Sequence, residues 1–555
     1  MSETKSRWLC TALVLIALLP LWIGRYPPLY DYPAHLLEAQ VLIRYDDPGL
    51  GYAEGYRLNA GWPFGSNALA TLLTAGLALA LPIELAGRLV LSLYLTICIS
   101  GLWRLLQRAN AAWPLLLLGP LLAWNIGFSS GWVNFSIGLA LGLHLLASFL
   151  AWIDNPRRGQ LVRIALLVGL IAAAHTLTWG LWAVVIAALA ASGGLAQRRA
   201  LALLGALIAP LAIALAATPT IAATAALIPI FTWLVSWAAR RANFAPGVLV
   251  LAAVPLSVGA YLLAVAGLPW LRHYDPELSY NNAERALFLV RTFTLAQQTT
   301  SINQALMLIN GLLLALLALL GGVLALSALR RAGLVREPWL AALAALIMIY
   351  GLSPSGSADL VVIEPRVLIV AALISLSFIG LPQRASLRRL VAGLATALCV
   401  AWLAGACLLT LDYNRQAQNW QADLDLLGPA RRVLSFRVEG PSASRRSMAL
   451  SRLSSSYDGS YFSSYRFIER GGYTTRLFGN GPIWLRDEVP GWVFYLPQPA
   501  DAPGHFEEQC RLTLTNFDAV LLWGVPGNQI NPMLSACLGP PMRRGNVLVW
   551  VLADK

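Results

Sequence analysis

The chain alternates long apolar runs with short polar joints that carry arginine. Runs at about residues 8–24, 85–107, 111–127, 131–153, 161–175, 177–192, 200–217, 221–238, 246–268, 303–329, 338–352, 361–381 and 389–411 approach the roughly 20 residues a helix needs to cross a bilayer. They are continuous in Leu, Ala, Gly and Trp instead of alternating polar with apolar, which predicts helices and not the strands of a barrel. A further run, 66–81, follows Trp62, Pro63 and Phe64 and reads as a helix lying in the membrane interface. If it crossed, Arg104 and Arg108, then Arg157, Arg158 and Arg163, would lie opposite Lys5 and Arg7. With 66–81 in the interface, these arginines and the later clusters at 198–199, 240–241, 330–336 and 384–389 all fall on the inner side. The pattern thus predicts an α-helical polytopic membrane protein of about 13 transmembrane helices, with its N-terminus inside.

The first run is read as an uncleaved span, because no small-x-small cleavage site follows it and Arg25, Tyr26 and two prolines do. Residues 25–84 then form the first outer loop, and 1–411 the transmembrane domain. The stretch 164–192 is expected to break near His175–Trp179. From Asp412 the chain turns polar, with β-rich pieces at 432–438, 492–496, 519–523 and 546–552, which predicts a small C-terminal α/β domain, 412–555, on the outer face.

Composition agrees with the pattern. The chain of 555 residues is 58% hydrophobic and 12% charged, with a mean hydropathy of +0.64, values that exclude a soluble globular fold. Its net charge of +13 is carried by loop arginines that face lipid headgroups, so no nucleic-acid partner is implied. Cys10, Cys98, Cys399 and Cys407 lie in apolar runs as small core residues, whereas Cys510 and Cys537 fall in the polar C-terminal region, where an oxidising compartment would let them pair.

Candidate chemistry gathers on the outer side. In the first loop Asp31, His35 and Glu38 stand at i, i+4 and i+7 and share a helix face. Asp31 also suits an N-cap, with Pro33 in the first turn. Asp31 and His35 form a pair that could hold a divalent metal, although one pair is a weak metal signal. Asn125 and Asn134 flank a turn containing Gly127 and Gly131 and read equally as turn formers or substrate contacts. His175 reads as a site residue or as a hydrogen-bonded helix end. His273, Asp275, Glu277, Glu284, Arg285 and Arg291 follow the run ending at 268, and Asp359, Glu364 and Arg366 precede a later helix. Arg366 suits a snorkelling anchor or a fork for a lipid-borne phosphate. No Walker loop, nucleophile elbow, His-Glu-x-x-His helix or metal-spaced Cys pair occurs, so no nucleotide is expected.

The outer-loop Asp in Asp31-Tyr-Pro-Ala-His35, the interfacial helix after an aromatic-Pro segment, and Leu81-Pro-Ile-Glu-Leu-Ala-Gly-Arg-Leu89 leading the next span resemble the GT-C membrane glycosyltransferases. That group includes protein O-mannosyltransferases, lipid A aminoarabinose transferases and oligosaccharyltransferases. The likeness covers the layout of the first 200 residues, while the closing motifs Tyr465-Arg-Phe-Ile-Glu-Arg-Gly-Gly-Tyr473 and Asn516-Phe-Asp-Ala-Val520 look like those of bacterial members. The group's usual Asp-Glu or Asp-x-Asp pairs are not literally present, which leaves the base and the metal requirement open.

The resemblance implies an enzyme of the bacterial inner membrane, with a periplasmic C-terminal domain. It would move a sugar from a polyprenyl phosphate to a lipid, glycan or protein acceptor among the membrane lipids. Asp31 would be the base and Arg366 the phosphate ligand; His35, Glu38, Asn134, His175, Asp275, Arg285 and Glu364 would contact substrate. A transporter or flippase of lipid-linked sugars, or a scaffold for envelope polysaccharide assembly, is the alternative class.

Overall fold

The computed structural model describes residues 3–58, 67–109, 113–192, 338–352, 363–376, 385–438, 462–474, 483–485, 510, 513–524, 535–544 and 547–552. The expected runs 200–217, 221–238, 246–268 and 303–329 lie outside them, as do the outer-side residues from His273 to Arg291 and the strand expected at 492–496.

The described membrane part is helical. Helix α1 is Glu3–Trp22, α2 Tyr32–Arg44, α3 the single turn Tyr52–Gly55, α4 Leu69–Ala78 and α5 Ile83–Arg108. After a broken segment come α8 (Val133–Asp154), α9 (Arg158–Ala174), α10 (Thr176–Ser192), α11 (Pro338–Leu352), α12 (Ile363–Ser375) and α13 (Ala385–Leu424). Among the described residues four helices are long and apolar enough to cross a membrane: Glu3–Trp22, Ile83–Arg108, Val133–Asp154 and Arg388–Leu427. The ten residues of α4 extend only about 15 Å, half a hydrocarbon core.

Helix α8 is the axis of the bundle. At Gly101 of α5 a Cβ would stand 2.8 Å from Leu143, so the backbones of α5 and α8 meet closely there. On another face, Gly138 and Gly142 of α8 receive Thr178 and Trp182 of α10; a Cβ at Gly142 would overlap the indole. Small residues four apart let two helices approach in an apolar solvent, where dispersion drives association. His144 adds a polar tie, with Nε2 3.0 Å from the Ile97 carbonyl of α5.

Two departures from the hydrophobic pattern have plain causes. The run expected as one helix at 111–127 is instead a 3-10 segment, Trp113–Leu118, followed by the short helices α6 (Gly119–Ala123) and α7 (Ile126–Ser129). Pro114 and Pro120 remove backbone donors, and Asn125 restarts the chain by accepting from the Phe128 amide at 3.2 Å. The second departure is the boundary expected at 411: α13 continues through Asp412 to Leu424 without a break, 40 residues or about 60 Å.

Beyond α13 lies a sheet. Strands β2 (Arg432–Val438), β3 (Tyr473–Thr474), β5 (Ala519–Gly524), β6 (Met542–Arg544) and β7 (Val547–Val551) are ordered β3-β2-β5-β7-β6. β2 is parallel to β3 and β5, and β7 is antiparallel to β5 and β6. The Cα atoms of Cys510 and Cys537 are 5.9 Å apart and their sulfurs are bonded.

The first loop grips this sheet. Its strand β1 (Tyr56–Leu58) pairs with β4 (Ile483–Leu485). The Tyr52 hydroxyl donates to the Phe467 carbonyl at 2.7 Å, and the Thr474 amide donates to the Tyr56 hydroxyl at 2.9 Å. Helix α14 (Ser463–Arg470), the core of the Tyr465–Tyr473 motif, lies against α2. Asn414 of α13 ties the loop from below: its Oδ1 accepts from the Tyr26 amide at 2.8 Å and its Nδ2 donates to the Tyr26 carbonyl at 2.9 Å.

Candidate functional site

Asp31 occupies the N-cap position of α2, with Pro33 in the first turn, yet its side chain makes no capping hydrogen bond. The capping reading therefore does not account for the carboxylate. What fixes Asp31 is its backbone, whose amide donates to the Ser130 carbonyl at 3.0 Å. The next residue, Gly131, has φ +83°, and a Cβ there would stand 2.6 Å from the Asp31 nitrogen and 2.7 Å from that of Tyr32. A left-handed residue without a side chain lets two backbones touch, so the turn before α8 seats the first loop directly.

The same turn meets an arginine of α12. Trp132, the N-cap residue of α8, has its ring 4.5 Å from the guanidinium carbon of Arg366, and the Phe135 ring is 5.4 Å from it. The two rings stand nearly perpendicular, at 83° and 6.2 Å, and make a corner. Arg366, half-buried, therefore sits on an aromatic corner. Its Nε is buried with no hydrogen-bond partner among the described residues. Asp31 acts on it as an opposing charge.

His175 closes the corner from the third side. It is the extended residue at which α9 ends and α10 begins, within the stretch where a break was expected. Its Nδ1 accepts from the Thr178 amide at 3.4 Å, and its ring meets Phe135 edge-on at 5.7 Å. It also lies within the electrostatic reach of Arg366. The helix-end reading of this residue is the one its hydrogen bond describes, and its ring lies one contact away from the Arg366 corner.

Two turns of α2 further on lies a second polar group. Glu38 is 1% exposed; its Oε2 is 3.4 Å from His35 Nδ1 and accepts from Thr71 Oγ1 of α4 at 3.4 Å, while its Oε1 has no partner among the described residues. The expected common face of His35 and Glu38 is thus real, and α4 covers it. Among the described residues no three His, Cys, Asp or Glu side chains converge as metal ligands. Asp31 and His35 supply two donors, and His35 Nδ1 is engaged with Glu38.

Asn134 serves the scaffold. Its Oδ1 accepts from the Ala70 amide and its Nδ2 donates to the Asn67 carbonyl, both at 2.8 Å, so its carboxamide pins the start of α4 to α8. Asn67, at φ +65°, in turn donates its amide to the Ala174 carbonyl beside His175. Glu364 lies in the first turn of α12, two residues before Arg366. Asp275 and Arg285 lie outside the described residues. Trp132 and Phe135 were not among the residues expected in the site; the only sequence signal for them is an aromatic directly after a turn glycine, Gly131-Trp132, with a second aromatic one helical turn on.

The described geometry defines a multi-pass helical membrane protein in which one turn at a helix start meets the backbone of Asp31 on one side and the guanidinium of Arg366 on the other. No family model matches the chain, and no match was found among curated proteins. Among solved structures, the cryo-EM structure of the arabinofuranosyltransferase AftD from Mycobacteria is similar over 100% of this chain and 40% of that one, at 15% identity and a TM-score of 0.43. The chain thus spans two fifths of that protein's length.

Proposed function

We propose that this protein is a membrane glycosyltransferase that moves a sugar from a polyprenyl-phosphate donor to a hydroxyl acceptor at the outer face of the membrane. The observation that carries the reading is the Arg366 guanidinium, held on the Trp132 and Phe135 rings with its Nε unpartnered among the described residues and with Asp31 as its opposing charge. In the reaction the acceptor oxygen forms a bond to the anomeric carbon and its proton passes to the Asp31 carboxylate. The bond from that carbon to the phosphate oxygen breaks, and the lipid phosphate leaves with the electron pair. Arg366 stabilises the charge gathering on the leaving phosphate by donating hydrogen bonds to it. A single displacement without a covalent intermediate inverts the anomeric centre, by analogy with the inverting glycosidases. The sequence resemblance to GT-C enzymes supports the same reading. Asp275, Arg285 and Glu364 are carried as substrate contacts on that resemblance.

The test is formation of a new glycosidic bond by purified protein in detergent, where no compartments exist and a flippase has nothing to do. Asp31→Asn keeps size and polarity but removes basicity, and transfer should fall by about 100-fold to 10,000-fold. Arg366→Lys keeps charge without the planar fork, so it should impair donor use less than Arg366→Ala does. Wild-type protein that forms no bond from any polyprenyl-phosphate sugar supplied with envelope acceptors would reject the enzyme. Full transfer by Asp31→Asn would instead reject Asp31 as its base, with Glu38 and Asp275 the next carboxylates to test.

A further inference from the structure

The turn Ser130-Gly131-Trp132 touches both halves of the proposed machinery. Through the Ser130 carbonyl and the bare Gly131 backbone it seats Asp31. Through the indole of Trp132 it meets Arg366. The indole itself is fixed at its root, since the Trp132 amide donates to the Gly127 carbonyl at 2.9 Å and the Trp132 carbonyl accepts from the Ser136 amide at 2.9 Å. Phe135, the other wall under the guanidinium, is held by the His175 ring.

An aromatic face attracts the flat face of a guanidinium and leaves its hydrogen-bonding edge pointing away. The Arg366 central carbon lies over the Trp132 ring at 4.5 Å and 5.4 Å from the Phe135 ring, and its Nε meets no acceptor among the described residues. Without the wall, a long arginine side chain at a helix start in a membrane would swing toward the headgroups.

We infer that Trp132 is the positioning residue of this site: its indole holds the Arg366 guanidinium in one plane, edge toward the space beside Asp31, so that the ligand taken there is the phosphate monoester or diester of a lipid. This rests on the reading of Arg366 as the phosphate ligand. It adds that the distance between base and phosphate is set by one tripeptide turn and not by α2 or α12 alone.

The experiment uses full-length protein in detergent and displacement of a fluorescent polyprenyl monophosphate, together with donor KM and kcat. Trp132→Leu should weaken phosphate binding by about 2- to 30-fold, the range of one cation–π contact, raising donor KM more than it lowers kcat. Trp132→Phe keeps a π face and should stay within about 3-fold of wild type. On an Arg366→Met background Trp132→Leu should cost nothing further, because residues that act through one another are not additive. Trp132→Met keeps more of the volume without a ring and carries the same expectation should the Leu variant fail to fold. Wild-type affinity in the ringless variants, or losses that add to that of Arg366→Met, would overturn the inference and leave the transferase standing. Failure of the wild type to bind the probe would overturn Arg366 as phosphate ligand, and the inference with it.

Discussion

At the scale of single residues, the charged members of the candidate site are visible in the sequence and the aromatic ones are not. Asp31, His175 and Arg366 stand out because a chain that is 12% charged gives every ionisable group in or beside an apolar run a high contrast. Trp132 and Phe135 have no such contrast among 20 tryptophans and 16 phenylalanines. Gly131 is the small residue on which the arrangement turns. Gly131→Ala adds a left-handed alanine and a methyl 2.6 Å from the Asp31 nitrogen, so it should destabilise the protein by on the order of 2 kcal/mol and displace Asp31. Gly159→Ala, where a Cβ meets nothing within 4 Å, is the control and should melt at or slightly above the wild-type temperature. Thermal melting in detergent checks both; equal melting temperatures would mean that the turn relaxes without cost.

At the scale of elements, long periodic stretches were legible and short ones were not. The ends of α1, α5, α8, α9 and α10 fall within a few residues of the hydrophobic runs, because an apolar segment of that length has no other way to satisfy its backbone in lipid. The segment 113–129 is as apolar as its neighbours, and only Pro114, Pro120 and Asn125 betray that it is broken. Strands β2, β5 and β7 fall on the alternating or β-rich pieces at 432–438, 519–523 and 546–552, whereas β1, β3, β4 and β6, of two or three residues each, carry too few positions to show a period. The start of β2 rests on Asp518, whose carboxylate takes the Arg431 and Arg432 amides and pairs with the Arg432 guanidinium at 2.7 Å. Partial burial pushes this carboxyl upward, but the Arg432 side chain and the two amides outweigh it and hold it below the usual carboxylate range. Its folded value thus lies below the unfolded one of about 3.9. The stabilisation is complete above that pH and is lost as pH falls through the folded value. Asp518→Asn should cost about 2 kcal/mol at pH 7, the worth of one hydrogen bond to a charged group, and should flatten the decline in melting temperature between about pH 5 and 3. Parallel melting curves across that range would assign the acid sensitivity elsewhere.

At the scale of the whole molecule, the arginine-bearing loops predict which side each joint faces. A reporter cysteine near Gly55 should be labelled by an impermeant maleimide from outside, and one near Gln197 only after permeabilisation. Labelling of Gln197 from outside would remove the thirteen-span arrangement and scatter the proposed site across both faces. The polar composition after Asp412 suggested an independent unit, but α13 runs on, because a polar segment with good helix formers prolongs a helix as readily as it starts a loop. That continuity has a geometric consequence. Trp402, buried against Trp124 in the bundle, and Asn414, clasping Tyr26, are stations on one shaft. So is Trp420, whose ring meets those of Phe462 and Trp523. Each residue of an α-helix turns the chain by about 100° and advances it by about 1.5 Å. One residue gained or lost between Trp402 and Asn414 would therefore swing the five-stranded sheet by about 100°, carrying β3 off the Tyr56 hydroxyl. The number of residues in that interval acts as an angular gauge, and it fixes the heading of the sheet over the loop that carries Asp31.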